Sequence, residues 1–131
     1  MEVTGPKPTD LAYLAGVFDG EGCVLFNRIT VDNTNPYLLV LYREVWGGRI
    51  YTKRTSKGHR TCFRWSASGT DCRQALNDMM PYLVEKKSQA EINLLITSYP
   101  PKSAMRSYHK RKLKDLKRID YGEYAESLGI R

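Results

Sequence analysis

Glu21 is the residue whose placement asks for chemistry. It closes a predicted helix running from about Asp10 to Gly20 or Glu21, at the end where the helix dipole is negative and a carboxylate is disfavoured. On a helical wheel Leu11, Leu14, Val17 and Phe18 form an apolar face suited to packing on a sheet, while Ala12, Ala15, Gly16, Asp19 and Gly20 gather opposite. Glycine inside a helix costs about 1 kcal/mol against alanine, so two on one face ask for a reason. Small residues four apart let another backbone approach closely, either a helix of the same chain or a second copy. In a close pair of copies Glu21 meets its symmetry mate, and the two carboxylates repel unless a cation lies between or beside them. A divalent site with hard oxygen ligands, Mg²⁺ above all, is the chemistry this predicts. A solvated helix-end glutamate is the plain alternative.

A second group of residues points to polyanions. Between Gly47 and Thr70 there are six Lys or Arg residues plus His59, and no acid. Alternation in a strand from Arg60 to Ala67 sends Phe63, Trp65 and Ala67 to one face and Arg60, Cys62, Arg64 and Ser66 to the other. In the strand before it Arg49, Tyr51 and Lys53 share a face opposite Ile50. An apolar back and a basic front suit phosphate neutralisation and base-edge reading in the major groove. A merely solvated face would mix both signs of charge.

The elements that position these residues must come from 131 residues, enough for one domain over 1–131 with a core of its own. The net charge of +7 favours nucleic acid or an anionic surface as partner. The longest apolar run, Tyr37 to Tyr42, is far too short to span a bilayer, so no membrane partner is expected. Cys23, Cys62 and Cys72 form an odd set with no C-x-x-C pair, so the expected setting is intracellular and reducing. With only His59 and His109, a Cys/His zinc site is not expected.

An N-terminal arm, 1–8, leads to the first helix, with Thr9 as its expected N-cap. Cys23 to Val31 reads as one strand, with Asn27 along it, and Asp32 to Pro36 as a turn cluster. A second extended run starts at Tyr37. Strands from Arg49 to Thr55 and Arg60 to Ala67 form a hairpin, followed by helices from Thr70 to Met80 and Val84 to Thr97 and a basic helical tail over 103–131. Only eleven residues separate Asn35 from Gly47, whereas an average strand and helix together need about 17.

Leu14-Ala-Gly-Val-Phe-Asp-Gly-Glu-Gly22 resembles the signature of LAGLIDADG homing endonucleases, with glycines, both acids and the following strand in register. Gly47 to Tyr51 and Pro81 to Ala90 also resemble segments of that family. The resemblance implies an α+β fold, an αββαββα saddle whose antiparallel sheet straddles double-stranded DNA. One signature per chain implies a homodimer on a pseudo-palindromic site, joined through Ala12, Ala15, Gly16, Asp19 and Gly20. It implies Glu21 as the metal-binding catalytic acid, with Gly20 beside it in the metal set, Mg²⁺ or another divalent cation such as Mn²⁺ as cofactor, and Lys86 as the basic catalytic residue. Asn27, Arg49, Tyr51, Lys53, Arg60 and Arg64 become the expected DNA contacts. Against this pattern the stretch after Asn35 reads as a shortened second strand and first flanking helix. The expected function is a metal-dependent endonuclease of intron or intein mobility; the alternatives are a non-cleaving DNA-binding regulator and an RNA-binding intron maturase.

Overall fold

A computed structural model describes residues 6–53 and 57–130. Helix α1 (Pro8–Glu21) is followed by strands β1 (Gly22–Leu25) and β2 (Arg28–Asn33), helix α2 (Pro36–Trp46), strands β3 (Arg49–Lys53) and β4 (Cys62–Ser68) and helix α3 (Gly69–Met79). This is the expected αββαββα order. Helices α4 (Lys87–Ile96), α5 (Ala104–Leu116) and α6 (Gly122–Ser127) complete the chain. All strand pairings are antiparallel, in the order β1-β2-β4-β3.

The elements of the first half depart from the sequence reading in three places. The segment from Cys23 to Val31 is a hairpin rather than one strand, turning at Phe26-Asn27. Asn27 adopts φ +50°, a left-handed conformation that asparagine tolerates better than most residues. The Tyr37 run is helix α2, whole at eleven residues. Asn35 caps it by accepting a hydrogen bond from the Tyr37 N–H, Pro36 occupies the first turn, and Gly47 ends it at φ +82°. Leu39, Tyr42 and Trp46 are its buried face, at helical spacing. The second strand therefore lies upstream, at Arg28–Asn33, and no flanking helix is shortened. Finally, α1 starts at Pro8 with Lys7 as N-cap, not Thr9, and the Asp10 carboxylate accepts the Lys7 N–H.

The core lies between the helices and one face of the sheet. Register places Val24, Ile29, Val31, Trp65 and Ala67 on that face, all buried. Leu14, Phe18, Leu39, Leu76 and Met79 pack on it from α1, α2 and α3. Tyr42 stacks on Trp65 at 4.9 Å between ring centroids, and its hydroxyl donates to the Leu14 carbonyl at 2.6 Å. Trp65 donates through Nε1 to the Gly47 carbonyl, tying β4 to the end of α2. The polar handles of both buried aromatics are thus satisfied, as burial requires.

Candidate active site and nucleic-acid interface

Helix α1 ends at Glu21 and runs straight into the edge strand β1. Two residues earlier, Asp19 turns inward. Its carboxylate accepts hydrogen bonds from the N–H groups of Val84 (2.8 Å) and Lys86 (3.0 Å). The Lys86 ammonium in turn donates to the Asp19 carbonyl oxygen at 2.6 Å and lies 3.6 Å from the Glu85 carboxylate. A cation at the C-terminal carbonyls of a helix is favourably placed against its dipole. Lys86 is largely buried and Glu21 exposed. The fold therefore brings Glu21 and Lys86 to the same end of α1, across more than 60 residues of sequence.

This clamp also explains why α4 starts at Lys87 instead of Val84. The Val84 and Lys86 amides are committed to Asp19, and Lys86 becomes the N-cap residue. Asp19 is accordingly an intrachain anchor, not a member of a free helix face.

The small-residue face is narrower than expected. Ala15 is wholly buried in its own chain and leaves the set of possible interface residues. Gly16 and Gly20 are exposed, and a Cβ built on either meets nothing within 4 Å. Ala12 is half-buried, and Tyr13 stands exposed beside the stripe. Among the described residues no tight intrachain contact accounts for these glycines.

Glu21 has no hydrogen-bond or ion-pair partner among the described residues, and no group of three or more His, Cys, Asp or Glu comes together there to hold a metal. One chain offers a single free carboxylate beside the Gly20 backbone. Those are hard oxygen donors of the kind Mg²⁺ takes, too few in one chain to complete the coordination of such an ion by themselves.

The sheet face away from the helices carries the expected basic residues. Arg49, Tyr51 and Lys53 of β3 and Cys62, Arg64 and Ser66 of β4 share it through the observed register. Strand β2 adds Arg28, Thr30 and Asp32. Asp32 belongs to β2 and not to the turn cluster: it spaces with Arg28 and Thr30 at two-residue intervals, the signal that places it on this face. Its carboxylate accepts from Arg64 Nε at 2.7 Å and Nη2 at 3.0 Å, and from Lys53 Nζ at 2.9 Å. The Arg64 hydrogen bonds hold the Asp32 carboxyl below the usual carboxylate range, against the opposing effect of partial burial and with further help from Lys53. The face is therefore basic but not free of acid.

Two expected contacts sit elsewhere. Asn27 is a turn residue, not a strand residue: its N–H donates to the Asn93 side chain at 2.9 Å, its carbonyl accepts from Gly69, and its Oδ1 is buried. Its position pins the hairpin to α4. Arg60 is exposed but precedes β4, outside the strand. Residues 54–56, where the third strand was expected to end, lie outside the described residues.

The basic tail helix α5 runs beside the hairpin. Lys110 Nζ lies 3.8 Å from the centroid of the Phe26 ring and Lys117 Nζ 3.7 Å from the Cys23 sulfur. A cleft of about 440 Å³ opens there, with Leu25, Phe26 and Leu113 as its apolar lining and Lys110, Arg111, Lys114 and Lys117 around it.

The fold is that of the LAGLIDADG homing endonucleases. The chain matches the homing endonuclease I-CvuI in complex with its target Sro1.3 in the presence of Ca, with a TM-score of 0.71 at 20% identity over 95% of this chain and 97% of that one. A complex of I-CvuI with an I-CreI target in Mg, whose DNA is not cleaved, matches at 0.69 and 19% identity over 94% and 96% of the two chains. The group I intron-encoded homing endonuclease I-CeuI, complexed with DNA, matches at 0.53 and 20% identity over 75% of this chain and 57% of that one. No protein-family model and no curated protein matches the sequence.

Proposed function

We propose that this chain is a homodimeric endonuclease that cuts double-stranded DNA at a pseudo-palindromic site, using Mg²⁺ or Mn²⁺, and that it serves intron or intein mobility in a reducing intracellular setting. The observation that carries the reading is the end of α1, where the exposed Glu21 carboxylate, without a partner among the described residues, lies two residues from a carbonyl that holds the Lys86 ammonium at 2.6 Å. The basic sheet face and the DNA-bound neighbours support it.

Two copies meet through Ala12, Gly16 and Gly20, which brings both Glu21 residues to the centre of the assembly. Because β1 follows Glu21 directly and lies at the sheet edge, the order β1-β2-β4-β3 runs outward from that centre in each copy. Arg64 and Tyr51 then contact DNA farther from the cut than Arg28. The side chain of Glu21 and the backbone of Gly20 would hold the divalent ion, which when bound would offset charge at the scissile phosphate and lower the pKa of water. Lys86, whose ammonium is held at the end of α1 by the Asp19 carbonyl, stabilises negative charge developing on the phosphate. The α5 cations contact the sugar-phosphate backbone and set register without reading sequence.

The test is cleavage of supercoiled plasmids carrying a randomised insert, with Mg²⁺ or with EDTA. Site-specific linear product in Mg²⁺ alone supports the reading. Binding without cutting would assign the chain to regulation instead, and preference for structured RNA over duplex DNA would assign it to splicing.

A further inference from the structure

We propose that Asp32 is a positioning residue for Arg64, and that the pair reads a guanine in the major groove. The inference rests on the DNA-binding reading above and specifies one part of it.

Asp32 and Arg64 lie directly opposite each other in the β2–β4 register. The carboxylate engages the guanidinium side-on, through Nε at 2.7 Å and Nη2 at 3.0 Å. A guanidinium has five N–H donors in a rigid plane. Asp32 takes two of them along the Nε and Nη2 edge, and Tyr51, directly opposite Arg64 on β3, also bears on the guanidinium; the Nη1 and Nη2 edge holds a pair of parallel donors that Asp32 does not take. Guanine alone presents two adjacent acceptors, O6 and N7, to such an edge in the major groove.

Lys53 fixes the other partner. Its ammonium lies 2.9 Å from Oδ2, so the carboxylate is held from β3 as well as from β4. The Arg64 and Asp32 side chains are 27% and 28% exposed, recessed in the face and not free to sweep through solvent. An arginine held in one geometry before binding loses less rotamer freedom on contact. The charge balance points the same way. Two cations and one carboxylate sum to one positive charge, a weak phosphate magnet, whereas the directed donors suit a base edge.

The test is selection of binding sites from a randomised duplex library in EDTA, comparing the parent with Arg64→Gln, Arg64→Lys, Asp32→Asn and Asp32→Glu. The parent is expected to enrich guanine at one position of each half-site, by roughly tenfold or more over other bases. Arg64→Gln and Arg64→Lys lose that preference at that position alone. Asp32→Asn relaxes it by several-fold while affinity for competitor DNA holds or rises, and Asp32→Glu, which keeps the carboxylate, retains more of it. Circular dichroism of each variant separates loss of reading from loss of fold. An Asp32→Asn profile identical to the parent's overturns the positioning role. A uniform loss of affinity in Arg64→Gln, with the salt slope reduced by about one, makes Arg64 a phosphate contact and overturns the guanine assignment. A parent that enriches no sequence overturns the DNA-recognition reading itself, an outcome distinct from both.

Discussion

Asp19 and Lys86 hold each other twice: the Asp19 carboxylate accepts the Lys86 N–H at 3.0 Å, and the Asp19 carbonyl accepts the Lys86 ammonium at 2.6 Å. The first contact fixes where α4 begins. The second fixes a positive charge at the end of α1. Asp19→Ala removes an acceptor from two amides and should destabilise the fold by about 1.5–3 kcal/mol, since hydrogen bonds to a charged group are among the stronger ones. Asp19→Asn keeps one carbonyl oxygen and should cost less. Urea unfolding of both variants measures this, and equal, near-zero costs would remove the anchoring role. Lys86→Met keeps most of the buried stem, so it should leave folding largely intact while depressing cleavage.

Glu21→Gln separates charge from shape. The amide cannot supply the negative charge that a hard cation needs, so cleavage in Mg²⁺ should fall by orders of magnitude. Binding in EDTA should hold or tighten, because a carboxylate near two phosphates repels them until a cation arrives. Parallel gel-shift and cleavage measurements on one duplex check both halves. A variant that cuts at the parental rate would exclude Glu21 from the mechanism.

The two exposed glycines of α1 yield opposite expectations for the monomer and the dimer. A Cβ at Gly16 meets nothing within 4 Å in the isolated chain, so Gly16→Ala should stabilise that chain by about 0.5–1 kcal/mol through helix propensity. Gly16→Leu should separate the copies by overpacking their contact. Sedimentation of the leucine variant as an unchanged dimer would show that the contact lies elsewhere.

The first helix, its acid at the C-terminal end and the basic strand pair were legible because each rests on local periodicity. What escaped the sequence is equally specific. The run from Tyr37 to Tyr42 is apolar at every position, and such a run fits a buried strand as well as a helix. Asn35-Pro36 before it and Gly47 after it carried the helix signal. The hairpin at Phe26-Asn27 contains neither glycine nor proline, so one residue in a left-handed turn was hidden inside a strand-like run. That turn reverses the faces: Val24 and Ile29 face the core, while Leu25 and Arg28 face out. Asp19 could not be matched to the Val84 and Lys86 amides from spacing, because those partners lie 65 and 67 residues away. Ala15 shares the small-residue pattern with Gly16, yet only packing decides that it turns inward.

Asp32 supplies a pH test of the sheet face that needs no DNA. Arg64 chiefly, and Lys53 in addition, keep its carboxyl below the usual value near 4 in the folded protein, with partial burial opposing them. Between the folded and unfolded values the unfolded chain binds more protons at this site, so stability rises with pH there. The contribution is complete above the unfolded value and disappears as pH falls through the folded one. Asparagine at this position does not titrate. The difference in stability between the parent and Asp32→Asn should therefore stay constant from about pH 5 to 7 and shrink below about pH 4. Other carboxylates titrate alike in both proteins and cancel from the difference. Urea midpoints for the two proteins at pH 6 and pH 3 measure it. In an Arg64→Gln background the main cause of the shift is gone, so the narrowing should be much smaller. A gap that is the same at both pH values in the native background would mean that the ion pair does not hold the Asp32 carboxyl in solution.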